Sequence, residues 1–225
     1  MVAMHSKYSD IEALLQKSSV SLKSIEELYD KCLHEQTIPN TLLVEIKDYL
    51  GNLRSPLDYL NGKITGSARY FPICDHQNDF QARYSQINAT TRSVLEKYQP
   101  YNNQAWFRWF NVLNNKNKHV ALTPQRRTEY IQKRVSHPSG GSVSWGPGVT
   151  FGSGVSIMGV PIDSRTQMPV PNNMVTTEVI TWVDFVFDNG GELAALPADL
   201  SALTFLKDCF QNVTAIIKEV EATLP

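Results

Sequence analysis

The sequence predicts a mainly α-helical protein, a helical bundle with a small antiparallel β element inserted before the last helix. Two segments carry apolar residues at alternating three- and four-residue steps, which is typical of helices that pack along their whole length. These are Leu43, Ile46, Leu50, Leu53, Leu57, Leu60 and Ile64, and later Leu203, Leu206, Phe210, Val213, Ile217 and Val220. Between them, residues 140–162 are dense in glycine and poor in helix formers, which indicates short strands joined by glycine turns.

The N-terminal segment contains two helix-start patterns. Ser9 with Glu12, and Ser24 with Glu27, have the serine–glutamate spacing of a capping box, so we expect two short helices there. The next helix, which carries the first apolar stripe, begins near Pro39 and ends near Asn61–Gly62.

Pro56 falls inside this third helical pattern, where it removes one backbone hydrogen bond. We therefore expect a kink that opens polar atoms of Asn52, Arg54, Ser55 and Asp58. Arg54 and Asp58 are four residues apart and are spaced to pair with each other.

The remaining elements complete one domain over residues 1–225. We predict an amphipathic helix over 80–98, an aromatic helix from Trp106, a loop over 164–173 and a strand over 176–187. The helical part covers 1–135 and the β-rich insertion covers 136–190. The C-terminal helix, 197–223, packs back on the bundle because its apolar stripe needs a partner.

Composition favours a cytoplasmic protein. The N-terminal MVAMHSKYSD lacks the pattern of a signal peptide, and no apolar run is long enough to span a membrane. Cys32, Cys74 and Cys209 are odd in number and scattered, so we expect free thiols. The cluster Cys74, Asp75, His76 supplies too few ligands for a metal site, and no nucleotide-cofactor motif is present. We expect neither a metal nor a cofactor.

Charge is unevenly distributed although the net charge is −1. Residues 98–162 contain seven basic residues and one acid, Glu129, whereas residues 163–225 contain nine acids and three basic residues. Such an asymmetry points to an anionic partner, although the same lysines and arginines also suit a solvated face.

The clearest candidate site follows the aromatic helix. Trp106, Phe110 and Leu113 share one helix side, and the chain then supplies six polar residues in a row: Asn114, Asn115, Lys116, Asn117, Lys118 and His119. His119 can exchange protons near neutral pH, and the lysines can bind a phosphate. Arg126 and Arg127 extend this basic segment. The structural alternative is that His119 caps a helix end or bonds to a buried carbonyl.

Several segments, taken in order, resemble bacterial proteins of the HEPN-like class. They are residues 52–60 (NLRSPLDYL), 70–80 (YFPICDHQNDF), 98–101 (YQPY) and 113–122 (LNNKNKHVAL). The resemblance implies a helical domain, often with a β segment before its last helix. HEPN ribonucleases typically carry an arginine, four to six intervening residues and a histidine, and cut RNA without a metal at a site shared across a homodimer. His119 matches the histidine. The three positions at which the arginine is expected are occupied instead by Val112, Leu113 and Asn114.

Three functions are consistent with these residues. The first is an HEPN-like module of bacterial stress or defence type that binds RNA, a nucleotide or a protein through residues 116–134. The second is a metal-independent endoribonuclease with His119 as acid–base and Lys118 as phosphate clamp. The third is a structural or oligomerisation role. The resemblance implies a homodimer.

Overall fold

The computed structural model describes residues 7–67, 69–146, 148–170 and 173–225, except the side chain of Glu192. Over these described ranges the chain is about half helical, with six α-helices and two small antiparallel sheets. The helices are α1 (Ser9–Glu35), α2 (Asn40–Thr65), α3 (Gln77–Arg83), α4 (Ala89–Lys97), α5 (Ala105–His119) and α6 (Ala202–Glu221). The strands are β1 (Gln125–Ser136), β2 (Ser142–Trp145), β3 (Ser156–Ile157), β4 (Val160–Asp163), β5 (Met168–Pro169) and β6 (Thr176–Phe187).

The chain divides into two compact units. The helical unit contains residues 1–126 and 185–225, and the β unit contains residues 127–184. The prediction that 1–225 is a single domain stays a prediction. In the described part of the chain, none of the helices has the length and apolar character needed to cross a membrane.

The helical unit has one extended apolar core. It includes most of the two predicted stripes, and residues Phe107, Phe110 and Leu113 of α5 are fully buried within it. The predicted aromatic face is therefore shifted by one residue at its start, because Phe107 is buried while Trp106 is half-buried and stacks on it with ring centroids 4.6 Å apart.

The N-terminal segment is one helix, so the prediction of two short helices was wrong. The N-cap position of α1 is Tyr8, and Ser9 is already helical. No glycine or proline interrupts the chain between the two serine–glutamate patterns, and the hydroxyl of Ser18 donates to the carbonyl of Leu14, 2.9 Å away, within the helix. A serine–glutamate pair at this spacing also fits a helix interior, where the serine bonds back to the preceding turn.

Helix α2 runs through Pro56 and continues past the predicted end at Asn61–Gly62 to Thr65. Gly66 caps it, and its positive φ of 66° suits a residue without a side chain. The predicted helix over 80–98 is two helices, α3 and α4. The chain breaks between them at residues 84–88, where Asn88 caps α4 by accepting a hydrogen bond from the amide of Thr90.

The strand predicted over 176–187 is confirmed as β6. Strand order is β2–β1–β6 in one sheet and β3–β4–β5 in the other. Strand β1 begins at Gln125, so the β-rich part starts earlier than the predicted boundary at residue 136. The predicted loop over 164–173 contains the short strand β5, and its residues 171–172 lie outside the described ranges, as do residues 1–6 of the N-terminal segment.

The β unit has its own small core of Val135, Trp145 and Ile162. Trp145 packs edge-on against Phe151, with ring centroids 5.2 Å apart. The predicted short strands joined by glycine turns are confirmed. Gly140, Gly141, Gly154 and Gly159 all have positive φ in or next to these turns.

Candidate functional site

A cleft that contains four of the predicted site residues lies where the end of α5 meets α2. Its volume is about 290 Å³, near the lower limit of small-molecule sites. We call it the His119 cleft. Helix α2 contributes Arg54 and Asp58, the following loop contributes Tyr70, and α5 contributes Asn111, Asn114, Asn115, Lys118 and His119.

Arg54 is held in this cleft by a buried network. Its Nε donates to the Asp58 carboxylate at 3.2 Å, and its guanidinium also donates to the carbonyl of Phe71. The same Asp58 oxygen accepts a hydrogen bond from the amide of Phe71 at 2.8 Å. The predicted pairing of Arg54 with Asp58 is therefore confirmed, and both residues also fix the backbone of the loop after α2.

The buried guanidinium keeps its positive charge. Burial lowers the pKa of Arg54 below its ordinary value, and the negative charge and hydrogen bond of Asp58 act in the opposite direction. Arginine remains protonated at neutral pH even when it is buried. Its Nη1 atom is buried without a hydrogen-bond partner among the described residues.

Helix α5 contributes the polar wall of the cleft. His119 is its last residue, is exposed, and has a side chain that makes no hydrogen bond to any residue that the structure describes. The structural alternative for His119, a bond to a buried carbonyl, is therefore not observed in the described ranges. Asn114 is only 3 % exposed, and its Oδ1 has no partner there. Unpaired buried polar groups are unusual, and they favour a polar ligand over an apolar one in this cleft.

Four of the predicted binding residues do not line the cleft. Lys116 lies outside its lining, and Asn117 is buried, with its Oδ1 accepting a hydrogen bond from the amide of Thr123 at 2.7 Å. Arg126 donates to the carbonyl of Ala198. Arg127 belongs to the β unit, where it pairs with Glu129 at 2.7 Å. Asn117 and Arg126 thus have structural partners of their own.

The sequence pattern identified half of the cleft. Asn114, Asn115, Lys118 and His119 were predicted as site residues, whereas Arg54, Asp58, Tyr70 and Asn111 were not. The prediction that a kink at Pro56 exposes the polar atoms of Arg54 was wrong, because that side chain is buried against Asp58 and the Phe71 carbonyl. Nothing in the local pattern linked it to His119. That link arises from the packing of α2 against α5.

The described residues offer no group of three or more potential metal ligands. Of the cluster at 74–76, Cys74 is a buried free thiol, and burial raises the pKa of that thiol. Asp75 pairs with Arg108 at 2.6 Å. A structural role therefore explains this segment better than a role in metal binding or catalysis.

The chain matches no protein-family model, no curated protein and no solved structure. Its function is therefore inferred from the residues of the His119 cleft.

Proposed function

We propose that this chain is an HEPN-like protein that binds RNA through the His119 cleft. The observation that supports this most is the convergence of Arg54, Lys118 and His119 on one cleft. Two cations with a single, already bonded carboxylate give the cleft an excess of positive charge. That charge suits a phosphodiester.

The neutral groups of the cleft suit the sugar. Asn111, Asn114 and Asn115 offer both hydrogen-bond donors and acceptors, and a ribose hydroxyl can satisfy either. The same set of groups would also admit a mononucleotide, so competition with a nucleoside monophosphate belongs in every binding measurement.

The two lysines of α5 provide a matched test. Lys118 lines the cleft, and Lys116, two residues earlier on the same helix, does not. Lys118→Ala is expected to weaken binding of a labelled single-stranded 12-mer RNA by roughly fivefold. It is also expected to lower the slope of log K against log salt by about 0.7, since one phosphate contact is lost. Fluorescence anisotropy over a salt series measures both quantities.

Lys116→Ala is the control and is expected to change affinity by less than about twofold. Equal effects of the two substitutions would contradict binding in this cleft. The absence of salt-sensitive RNA binding by the unmodified protein would overturn the proposal altogether.

A second candidate function is metal-independent cleavage of RNA. The specific observation in its favour is that α2 supplies a guanidinium, Arg54, to the cleft that contains His119. The arginine missing at residues 112–114 thus has a counterpart from another helix. In this reaction His119 takes the proton of a ribose 2′-hydroxyl, the 2′-oxygen attacks the phosphorus, and the bond from phosphorus to the 5′-oxygen breaks. The leaving oxygen takes a proton from water, and the products carry a 2′,3′-cyclic phosphate and a 5′-hydroxyl.

Cleavage is expected to persist in excess chelator and to disappear in His119→Ala. The control is His34→Ala, because His34 is also an exposed histidine in the last turn of a helix. Product ends are identified by mass spectrometry. Cleavage that survives in His119→Ala, or that chelator abolishes, would exclude this mechanism. Sedimentation of the same samples tests the homodimer that the resemblance implies.

A further inference from the structure

An exposed tyrosine adjoins the His119 cleft. Tyr70 is 79 % exposed, and its side chain makes no hydrogen bond to any described residue. An aromatic ring this accessible does not contribute to a core. Aromatic rings exposed beside cationic groups are the usual platforms on which single-stranded nucleic acids stack their bases.

The backbone on both sides of Tyr70 is fixed by the side chains of Asn61, which is buried, and Asp58, which is half-buried. The carbonyl of Arg69 accepts a hydrogen bond from Asn61 at 2.8 Å, and the amide of Phe71 donates to Asp58 at 2.8 Å. Asn61 is held in turn by the hydroxyl of Tyr84, at 2.8 Å. The ring of Tyr70 is thus presented to solvent from a constrained backbone, which lowers the entropic cost of stacking a base on it.

Tyr70 is a common wall of three clefts. Besides the His119 cleft, it lines a cleft of about 480 Å³ that contains Tyr59 and Lys63, and another of about 320 Å³ that contains Arg83. Arg69 lines both of these further clefts. On the other side, Lys118 is shared between the His119 cleft and one of about 310 Å³ that contains Lys17 and Lys47. Each of the four clefts therefore shares at least one lining residue with another, and all four lie within the helical unit.

The charges along these four clefts are mainly positive. Seven lysines and arginines line them, against three aspartates, and each aspartate already has a basic partner. Asp10 pairs with Lys63 at 3.3 Å, Asp48 with Lys47 at 2.9 Å, and Asp58 with Arg54 at 3.2 Å. The cations that make no ion pair within the described ranges are Lys17, Lys118, Arg69 and Arg83.

We infer that these four clefts together bind a segment of single-stranded RNA several nucleotides long, with one base stacked on Tyr70 and phosphates on Lys17, Lys118, Arg69 and Arg83. This inference rests on the proposed function, and it specifies the substrate class of the same site. A mononucleotide would occupy the His119 cleft alone and would not use Lys17 or Arg83.

Substitutions at Tyr70 test the stacking. Tyr70→Ala is expected to weaken binding of the 12-mer about tenfold, whereas Tyr70→Phe keeps the ring and is expected to bind within about twofold of the unmodified protein. Because the side chain is exposed, neither change is expected to alter the thermal unfolding midpoint. A series of RNAs of 2, 4, 8 and 12 nucleotides is expected to bind more tightly with length, and a 12-base-pair duplex more weakly than the single strand.

The outcomes separate this inference from the proposed function. If Lys118→Ala weakens binding while Tyr70→Ala does not, or if the 2-mer binds as tightly as the 12-mer, the inference that RNA extends over the four clefts is wrong. The proposal that RNA binds in the His119 cleft then stands. If neither substitution affects binding, or no RNA binds, both proposals are overturned.

Discussion

Replacing Arg54 by methionine is expected to destabilise the protein by roughly 3 kcal/mol. Arg54 is 7 % exposed and bonds to both Asp58 and the Phe71 carbonyl. Methionine fills a similar volume, but it removes the donor to the buried carbonyl of Phe71 and leaves the half-buried carboxylate of Asp58 without its cationic partner. Urea unfolding followed by circular dichroism measures the loss.

Lys47→Met is the matched control, because Lys47 also pairs with an aspartate, Asp48, but on the surface. Exposed pairs contribute little, so we expect a change within about 0.5 kcal/mol. We also expect the double variant Arg54→Met/Asp58→Leu to lose less stability than the two single variants added together, since no unpaired charge remains. A loss for Arg54→Met no greater than that for Lys47→Met would contradict the buried network.

Replacing Tyr29 by phenylalanine is expected to cost about 2–4 kcal/mol. The hydroxyl of Tyr29 donates to the carbonyl of Phe185 at 2.9 Å and accepts from the amide of the same residue at 3.0 Å. Phe185 is fully buried, so removing one hydroxyl leaves two backbone groups without that partner in the core.

Tyr49→Phe is the comparison for this variant. The hydroxyl of Tyr49 is also buried, but among the described residues it makes only one hydrogen bond, to the carbonyl of Leu206 within α6, at 2.9 Å. Losing it is expected to cost about 1 kcal/mol. Guanidinium unfolding of both variants measures the two losses of stability. Equal losses would show that the second hydrogen bond between the Tyr29 hydroxyl and the Phe185 backbone adds no stability.

Regular apolar periodicity was the most reliable guide to the fold. It located α2 and α6 because each has one face that is buried along most of its length. It also located β6, although only the last three residues of that strand, Phe185–Phe187, are buried. It failed where several signals compete. The run from 80 to 98 has a helical pattern throughout, yet Asn88 begins a new helix because its side chain caps the next turn. Strand β1 was missed because its residues are mostly half-exposed on both faces and show no clear alternation.

The candidate site was predictable only where its residues are neighbours in the chain. His119, Lys118 and the asparagines lie within two turns of α5, so their clustering is visible in the sequence. Arg54 and Tyr70 reach the same cleft only because α2 packs against α5 and because Asp58 fixes the following loop. No local pattern contains that information.

The three cysteines allow opening of the helical unit to be followed without introducing a probe residue into the chain. Cys32 lies on α1, Cys74 lies in the loop after α2 and Cys209 lies on α6, and all three are buried. Burial raises the pKa of each thiol, so each is doubly protected from an aqueous thiol reagent while the unit is closed. The rate at which each cysteine is modified then reports the fluctuation that exposes its own segment, and it distinguishes fraying of one element from unfolding of the whole.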